Sequence, residues 1–395
     1  MIDRRRKRAA ILMLGSRGIN GPQGGVETHI EALAPLLVDR GWSVNVMARS
    51  PYATAGKREW KGVQIEPVWA PEHQKLEAIV HTALGVALAS VRRPDVVHIH
   101  AIGPALLTPL ARAAGLRTVV THHGYDYDRD KWGGFAKTVL RLGERMGMQW
   151  SNRAIAVSDN IAQSMQATYG RQLLFLPNGV VMPSGTPDPA VLAPFGLEPR
   201  RYVINVSRIV PEKRQLDLIS AYGRLANPGF KLVMVGGADH PDAYETAVRA
   251  AAAATPGVVM TGFQRGATLA GLFGNAGLFI LPSSHEGMPI ALLEALSHGL
   301  PVLASDIEAN LALAMAPERY FPLGDLGALA EQMVWGMANQ PSQIDRDIQT
   351  EMVRQRFGWD QVADAMSRLY AGLLRAEGAD ADSPVRLAQS RSITK

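Results

Sequence analysis

The chain contains no cysteine among its 395 residues. That absence excludes a disulfide framework and thiolate metal sites, and it fits a reducing compartment. Long apolar runs are missing too. The most apolar stretch, residues 79–91, is interrupted by His81, Thr82 and Ser90 and is shorter than the roughly 20 residues a membrane span needs. No secretory leader is expected, because the basic start runs into a short strand-like segment and then a glycine loop. Net charge is concentrated in one place. Of the net +5, the first eight residues carry +4, from Arg4, Arg5, Arg6, Lys7 and Arg8 against Asp3, which leaves +1 for the rest. A nearly neutral body with a basic arm does not resemble a nucleic-acid-binding domain, so no nucleic-acid partner is expected. The arm has two readings: a contact with anionic lipid headgroups at about 1 kcal/mol per basic residue, or a solvated, disordered terminus.

What is present points to two α/β domains. The length exceeds one ordinary core, and 47% hydrophobic with 19% charged residues describes a soluble globular protein. Short β-branched or aliphatic runs recur at residues 10–14, 43–48, 95–99, 118–121 and 154–157, then at 202–206, 231–235, 258–261, 278–281 and 302–304. Near-continuous apolar strands separated by helical patterns predict parallel sheets covered on both faces. After the first strand, Val26, Ile30, Leu33 and Leu37 follow helical spacing. Near the end, Trp359, Val362, Met366, Leu369 and Leu373 form a second stripe, whose helix must pack on something. Residues 183–199, rich in proline and small side chains, read as an interdomain linker. The expected boundaries are 1–185 for the first domain, 186–355 for the second, 356–375 for the closing helix and 376–395 for a disordered polar tail. The architecture expected is two doubly wound domains facing across a cleft, with ligands beyond the C-terminal strand edges.

Four segments carry chemistry. Glu286 and Glu294 lie eight residues apart in the run His285 to Leu296, one in a loop after an apolar strand and one on the helix that follows. Gly287 frees the backbone, Pro289 suits a first helical turn, and the rise places Glu294 about 7–8 Å further along the axis. Such a pair suits one extended polar ligand; alone, it also fits a solvent-facing helix start favoured by the helix dipole. The loop from Gly15 to Glu27 follows the first strand and opens a helix, and Gly24 and Gly25 allow close backbone approach to an anion at its N-terminus. Its glycine spacing is not the dinucleotide fingerprint. Arg208 and Lys213 flank Pro211 on one loop and suit a diphosphate. Finally, His122, His123, Gly124, Tyr125, Asp126, Tyr127 and Asp128, continuing to Trp132, combine aromatic faces with hydrogen-bonding groups that suit a sugar. Asp126 and Asp128 offer two oxygen ligands but no evident third, so no metal site is expected there.

These pieces occur in one order: glycine loop, histidine loop, Pro177-Asn178-Gly179-Val180, Arg208 to Lys213, Gly236-Gly237, then Glu286 and Glu294. Over residues 9 to 375 that order resembles the retaining nucleotide-sugar glycosyltransferases of the GT-B fold, family 4. The resemblance implies that Glu294 binds the donor ribose and that Glu286 faces the donor sugar. Gly287, Met288 and Pro289 would line the sugar and phosphate pocket, and Arg208 and Lys213 would hold the diphosphate. Gly25 would close over the same group, Phe263, after Gly262, would line the base pocket, and the C-terminal helix would cross back to pack on the first domain. His123 would contact the sugar near the reacting carbon, with the neighbouring His122 as the alternative for that place. The expected activity is retaining transfer of a hexose or deoxyhexose from a nucleotide-diphosphate sugar, with no cofactor and no metal. The acceptor would be a glycan or lipid-linked oligosaccharide of a surface polysaccharide. Location would be cytoplasmic, with peripheral contact at the inner membrane through the basic N-terminus. A nucleotide-sugar 2-epimerase and a non-catalytic nucleotide-sugar-binding protein are the alternatives; the first uses other acids, and the second has no use for the full set of four charged residues.

Overall fold

A computed structural model describes residues 8–19, 24–53, 58–73, 76–128, 133–226, 228–238 and 242–375. The basic run through Lys7, the loop segment 20–23, residues 129–132 and the tail from 376 lie outside the described residues. The chain forms two compact units. One runs to Gly179 and takes up the chain again at Trp359; the other spans Val180 to Gly358.

In the first unit the strands are β1 (Ala10–Leu14), β2 (Ser43–Arg49), β3 (Glu59–Trp60), β4 (Val63–Val68), β5 (Val96–His100), β6 (Thr118–His122), β7 (Arg153–Ala156) and β8 (Leu174–Phe175). Its helices are α1 (Gly25–Asp39), α2 (Glu77–Arg92), α3 (Thr108–Ala113), α4 (Gly134–Trp150) and α5 (Asp159–Tyr169). The sheet order is β3-β4-β2-β1-β5-β6-β7-β8, and only the β3–β4 pairing is antiparallel. The order reverses between β1 and β5, the usual place for a ligand crevice in an open sheet.

The second unit carries β9 (Tyr202–Val206), β10 (Lys231–Val235), β11 (Val258–Gly262), β12 (Leu278–Leu281), β13 (Val302–Ser305) and β14 (Tyr320–Phe321). Between and after them run α6 (Gln215–Gly223), α7 (Ala243–Ala254), α8 (Gly266–Gly274), α9 (Ile290–Ser297), α10 (Glu308–Leu311), α11 (Leu326–Ala338) and α12 (Gln343–Phe357). All pairings in the order β11-β10-β9-β12-β13-β14 are parallel. Here the reversal falls between β9 and β12, where buried Asn205 donates from Nδ2 to the Ile280 carbonyl at 2.8 Å.

All ten strands expected from the apolar runs are present. The additional strands, β3, β4, β8 and β14, are short or lie toward a sheet margin, and β4 mixes Gln64, Glu66 and Pro67 into its pattern. The final helix, α13 (Trp359–Arg375), belongs to the first unit. Val362, Met366, Tyr370 and Leu373 join Ile30, Leu33 and Leu37 of α1 in one core, each fully buried side chain of this size contributing about 1.5–3 kcal/mol. Trp42 donates from Nε1 to Ser367 at 2.8 Å, and Arg40 pairs with Asp364 at 2.6 Å.

The linker reading of residues 183–199 is corrected. Pro189–Phe195 forms a 3₁₀ helix in the second unit, and Leu192 and Leu197 are buried in that unit's core. Proline and small residues here shape a packed turn, because the two leucines have apolar surface to bury. The chain passes between units at Gly179–Val180 and again at Gly358–Trp359.

Candidate active site

The charged residues of the second unit converge because their loops leave neighbouring strands at the same sheet edge. Arg208 and Lys213 follow β9, Gly236 follows β10, Phe263 follows β11, and Glu286 follows β12. The first and last of these loops therefore flank the reversal between β9 and β12. Several bonds fix the β9 loop. Buried Gln215 donates from Nε2 to the Arg208 carbonyl at 2.7 Å and to Ser207 Oγ at 3.0 Å. A 3₁₀ turn at Pro211–Lys213 ends on Arg214, whose φ of 50° starts α6 at an angle. The backbone N–H of Ser284 donates to the Glu212 carbonyl at 2.9 Å, tying the β12 loop to the β9 loop. Across this tie the Lys213 ammonium pairs with the Glu286 carboxylate.

Gly236 holds φ at 139°, and a Cβ there would fall 1.9 Å from the Ser207 carbonyl oxygen, so the floor between β9 and β10 admits only glycine. Pro289 is the N-cap of α9 rather than its first residue, one position outside the expected start; its carbonyl accepts from Leu292 and Leu293. Glu294 is half-buried in the middle of α9. Burial pushes its carboxyl up to about 7, and no hydrogen bond or ion pair to that carboxylate occurs among the described residues. A carboxyl desolvated without a donor is poised to accept hydroxyls. Phe263 is 45% exposed beside Gly262, which holds φ at 70°.

In the first unit, Gly15 after β1 sits where a Cβ would meet the His100 carbonyl oxygen at 2.1 Å. Arg17 and buried Glu27 clamp the described part of the glycine loop. The Arg17 N–H donates to Glu27 Oε1 at 3.0 Å and its guanidinium lies 3.3 Å from the same oxygen. Gly24 is the strained glycine of the pair, with φ of 149°, whereas the space beside Gly25 is open. Neither Arg17 nor Glu27 was singled out by sequence; only their pairing across ten residues gives them meaning.

The two adjacent histidines differ in their surroundings. His122 is fully buried with both ring nitrogens engaged: Nδ1 accepts from the Gly124 N–H at 3.2 Å, and Nε2 lies 3.0 Å from Glu144. Glu144 also accepts from Tyr127 at 3.1 Å and Tyr169 at 2.8 Å. Burial raises its carboxyl, but donation from His122, Tyr169 and Tyr127 outweighs that and holds it below the ordinary value. His123 is only partly buried, and its Nε2 lies 3.1 Å from Nδ1 of His100. His98, His100 and His29 complete a cluster that sequence reasoning passed over. The signal was there: His98 and His100 alternate on β5, so both project from one sheet face and their rings stack at 4.0 Å. His98 is anchored by the Tyr370 hydroxyl at 2.6 Å and Thr121 Oγ1 at 2.7 Å. His29 Nδ1 meets Asn178 Oδ1 at 2.8 Å. Burial keeps all four rings neutral, with His29 lowered to about 4 and His98 to about 3.

Two open, almost wholly parallel sheets, each with its polar loops at the C-terminal strand edge beside a reversal, define a two-Rossmann architecture. Comparison with known proteins agrees. Residues 23–182 match the family described as Glycosyltransferase Family 4, and residues 193–319 match Glycosyl transferases group 1. The chain belongs to family 4 of the GT-B glycosyltransferases. It is 24% identical over 414 aligned positions to a D-inositol 3-phosphate glycosyltransferase of Gordonia bronchialis, covering 95% of this chain and 89% of that protein. A GDP-mannose-dependent alpha-(1-6)-phosphatidylinositol monomannoside mannosyltransferase of Mycobacterium tuberculosis is 30% identical over 224 positions, 51% of this chain and 55% of the relative. In fold, the chain resembles sucrose-phosphate synthase from Thermosynechococcus elongatus with a TM-score of 0.79 at 18% identity, over 94% of this chain and all of that one.

Proposed function

We propose that this glycosyltransferase moves a hexose or deoxyhexose from a nucleotide-diphosphate sugar to a glycan or lipid-linked acceptor, with retention of configuration, in bacterial surface-polysaccharide synthesis. The observation that carries the reading is the pairing of the Arg208–Lys213 loop with the Glu286–Glu294 segment on the two strands that flank the reversal in the second unit. Departure of a nucleoside diphosphate builds negative charge on oxygen and positive charge on the sugar. Fixed cations aimed at the leaving group stabilise that charge with little reorganisation. Arg208 and Lys213 take this role, so the diphosphate itself asks for no metal.

Glu294 accepts the ribose hydroxyls; its unsatisfied, half-buried carboxyl supports this assignment. Glu286 positions the donor sugar, with Gly287, Met288 and Pro289 beside sugar and phosphate, Gly262 and Phe263 at the base, and Gly25 closing on the diphosphate. Since Glu286 is held by Lys213, it acts as an electrostatic and positioning group. No side chain is assigned the nucleophile's place: attack comes from the leaving-group face, with the departing phosphate oxygen taking the acceptor's proton. His123, rather than the fully engaged His122, touches the sugar. A lipid-linked acceptor finds support in the phosphatidylinositol-directed relative. Among the described residues no helix is long and apolar enough to cross a membrane, and the reading places the enzyme in the cytoplasm, with peripheral membrane contact through its basic N-terminus.

Thermal shift with a panel of UDP-, GDP- and dTDP-sugars tests the donor assignment. A cognate donor at about 100-fold its Kd adds about 2.7 kcal/mol to stability by mass action. No shift with any nucleotide sugar would count against it.

A further inference from the structure

The histidines beneath the first unit's sheet edge have an arrangement that structural packing alone does not explain. His29 comes from α1, His100 from the end of β5, and His123 from the loop after β6. One nitrogen of each ring lies within 4.8 Å of those of the other two. The ring centroids form a nearly equilateral triangle, at 5.0 Å for His29–His123, 5.3 Å for His100–His123 and 5.6 Å for His29–His100. A point equidistant from the three lies about 3.1 Å from each centroid, and a zinc ion 2.0–2.1 Å from a ring nitrogen sits about 3.2 Å from its centroid.

The hydrogen-bond inventory points the same way. Nε2 of His29 is buried without any partner, a costly condition for a polar atom in the interior. On His29 the opposite nitrogen faces Asn178 Oδ1 at 2.8 Å. Donation from Nδ1–H to that oxygen leaves the Nε2 lone pair directed inward, the outer-shell arrangement that orients metal-bound imidazoles. The 3.1 Å between His100 Nδ1 and His123 Nε2 is close to the roughly 3.3 Å separating two ligand nitrogens of a tetrahedral ion.

We propose that His29, His100 and His123 form a binding site for a single first-row transition-metal ion of the zinc type. Three neutral nitrogen ligands without a carboxylate select against magnesium and calcium, which require oxygen. A fourth position remains for water or an anionic oxygen. With Nε2 of His123 on the metal, its Nδ1 is fixed as a hydrogen-bond donor, which is compatible with a sugar contact. The site stands on first-unit geometry alone, so its failure would leave the transferase reading intact.

The test is titration of the whole, chelator-treated protein with Co²⁺, followed in the visible spectrum. An equimolar, intense tetrahedral d–d band that Zn²⁺ displaces is the expected result. His29→Gln and His100→Gln should each weaken binding at least about 100-fold, and Asn178→Ala, which keeps all three ligands, about tenfold. His73→Gln, on an exposed loop of the same unit, should change nothing. No binding, a weak octahedral spectrum, or an unchanged affinity in His29→Gln, each read on protein whose circular dichroism matches the wild type, would overturn the proposal. Because the wild-type spectrum alone decides between a tetrahedral site and none, misfolded variants do not shelter it.

Discussion

Lys213 and Glu286, 73 positions apart, form an ion pair between the loops that leave β9 and β12. The pair restrains the cation proposed for the diphosphate and the acid proposed for the sugar in one geometry. A donor entering there offers Lys213 a second anion and leaves Glu286 beside the sugar's developing positive charge. Removing Glu286 should thus affect turnover more than nucleotide affinity. Glu286→Gln is expected to lower kcat about 10²-fold or more, while the Kd for the nucleoside diphosphate stays level or tightens as Lys213 is freed. Stopped-time kinetics with calorimetric affinities check this; normal turnover in the variant would remove Glu286 from the site.

Glu294 should couple nucleotide binding to protons. Its carboxyl is raised to about 7 by burial, and hydroxyl donors favour the ionised form and lower it again. Below about pH 7 binding therefore releases a proton from this group, and affinity rises with pH through that range. Calorimetry in buffers of different ionisation enthalpy should find a release that Glu294→Gln lacks. Equal proton release in both proteins would assign it to the nucleotide phosphates instead. Glu294→Ala should weaken nucleotide binding, the reverse of the emphasis expected for Glu286.

The neutral histidine cluster sets an acid limit on the first unit. Unfolded imidazoles take up protons below about 6.5, whereas folded His29 resists to about 4 and His98 to about 3. The unfolded state thus binds more protons in that window. Stability is complete above pH 6.5 and is lost as pH falls toward 4, at up to about 1.4 kcal/mol per pH unit for each such group. Urea unfolding should show a lower midpoint near pH 5 than near pH 7, and replacing His98 by Phe should flatten the dependence. A midpoint independent of pH would mean that the rings are charged or already exposed.

Glu144 is expected to be structural in its cost and positional in its effect. Its two oxygens receive Tyr127, Tyr169 and His122, and His122 in turn holds the Gly124 N–H. Glu144→Leu would orphan three donors, at about 1–3 kcal/mol for each that stays buried. Denaturant melts should register a loss of that order; Glu144→Gln, which keeps an acceptor oxygen, should lose less.

Much of this was legible in the sequence. The ten central strands announced themselves through continuous aliphatic runs, because both faces of a parallel sheet are covered. The α13 stripe of Trp359, Val362, Met366 and Leu373 was equally clear, and so were the charged loops after β9 and β12. The missing parts share a physical cause: they depend on contacts distant in sequence. β4 carries Gln64, Glu66 and Pro67 and reads as a loop until β2 is beside it. Residues 183–199 look like a linker until Leu192 and Leu197 find the second unit's core. His29, His98 and His100 are ordinary polar residues until the fold brings Asn178 from beyond β8, His123 from the end of β6 and Tyr370 from α13 to them.

Whether the enzyme transfers sugar with retention is decided by following both products of a reaction with a donor that shifts the melting temperature. Nucleoside diphosphate and extended acceptor should form in equal amounts, with the donor's anomeric configuration kept in the new bond by NMR. Arg208→Ala and Lys213→Ala should abolish both products together. An isomerised free sugar, an inverted linkage, or an untouched donor under binding conditions would contradict retaining transfer.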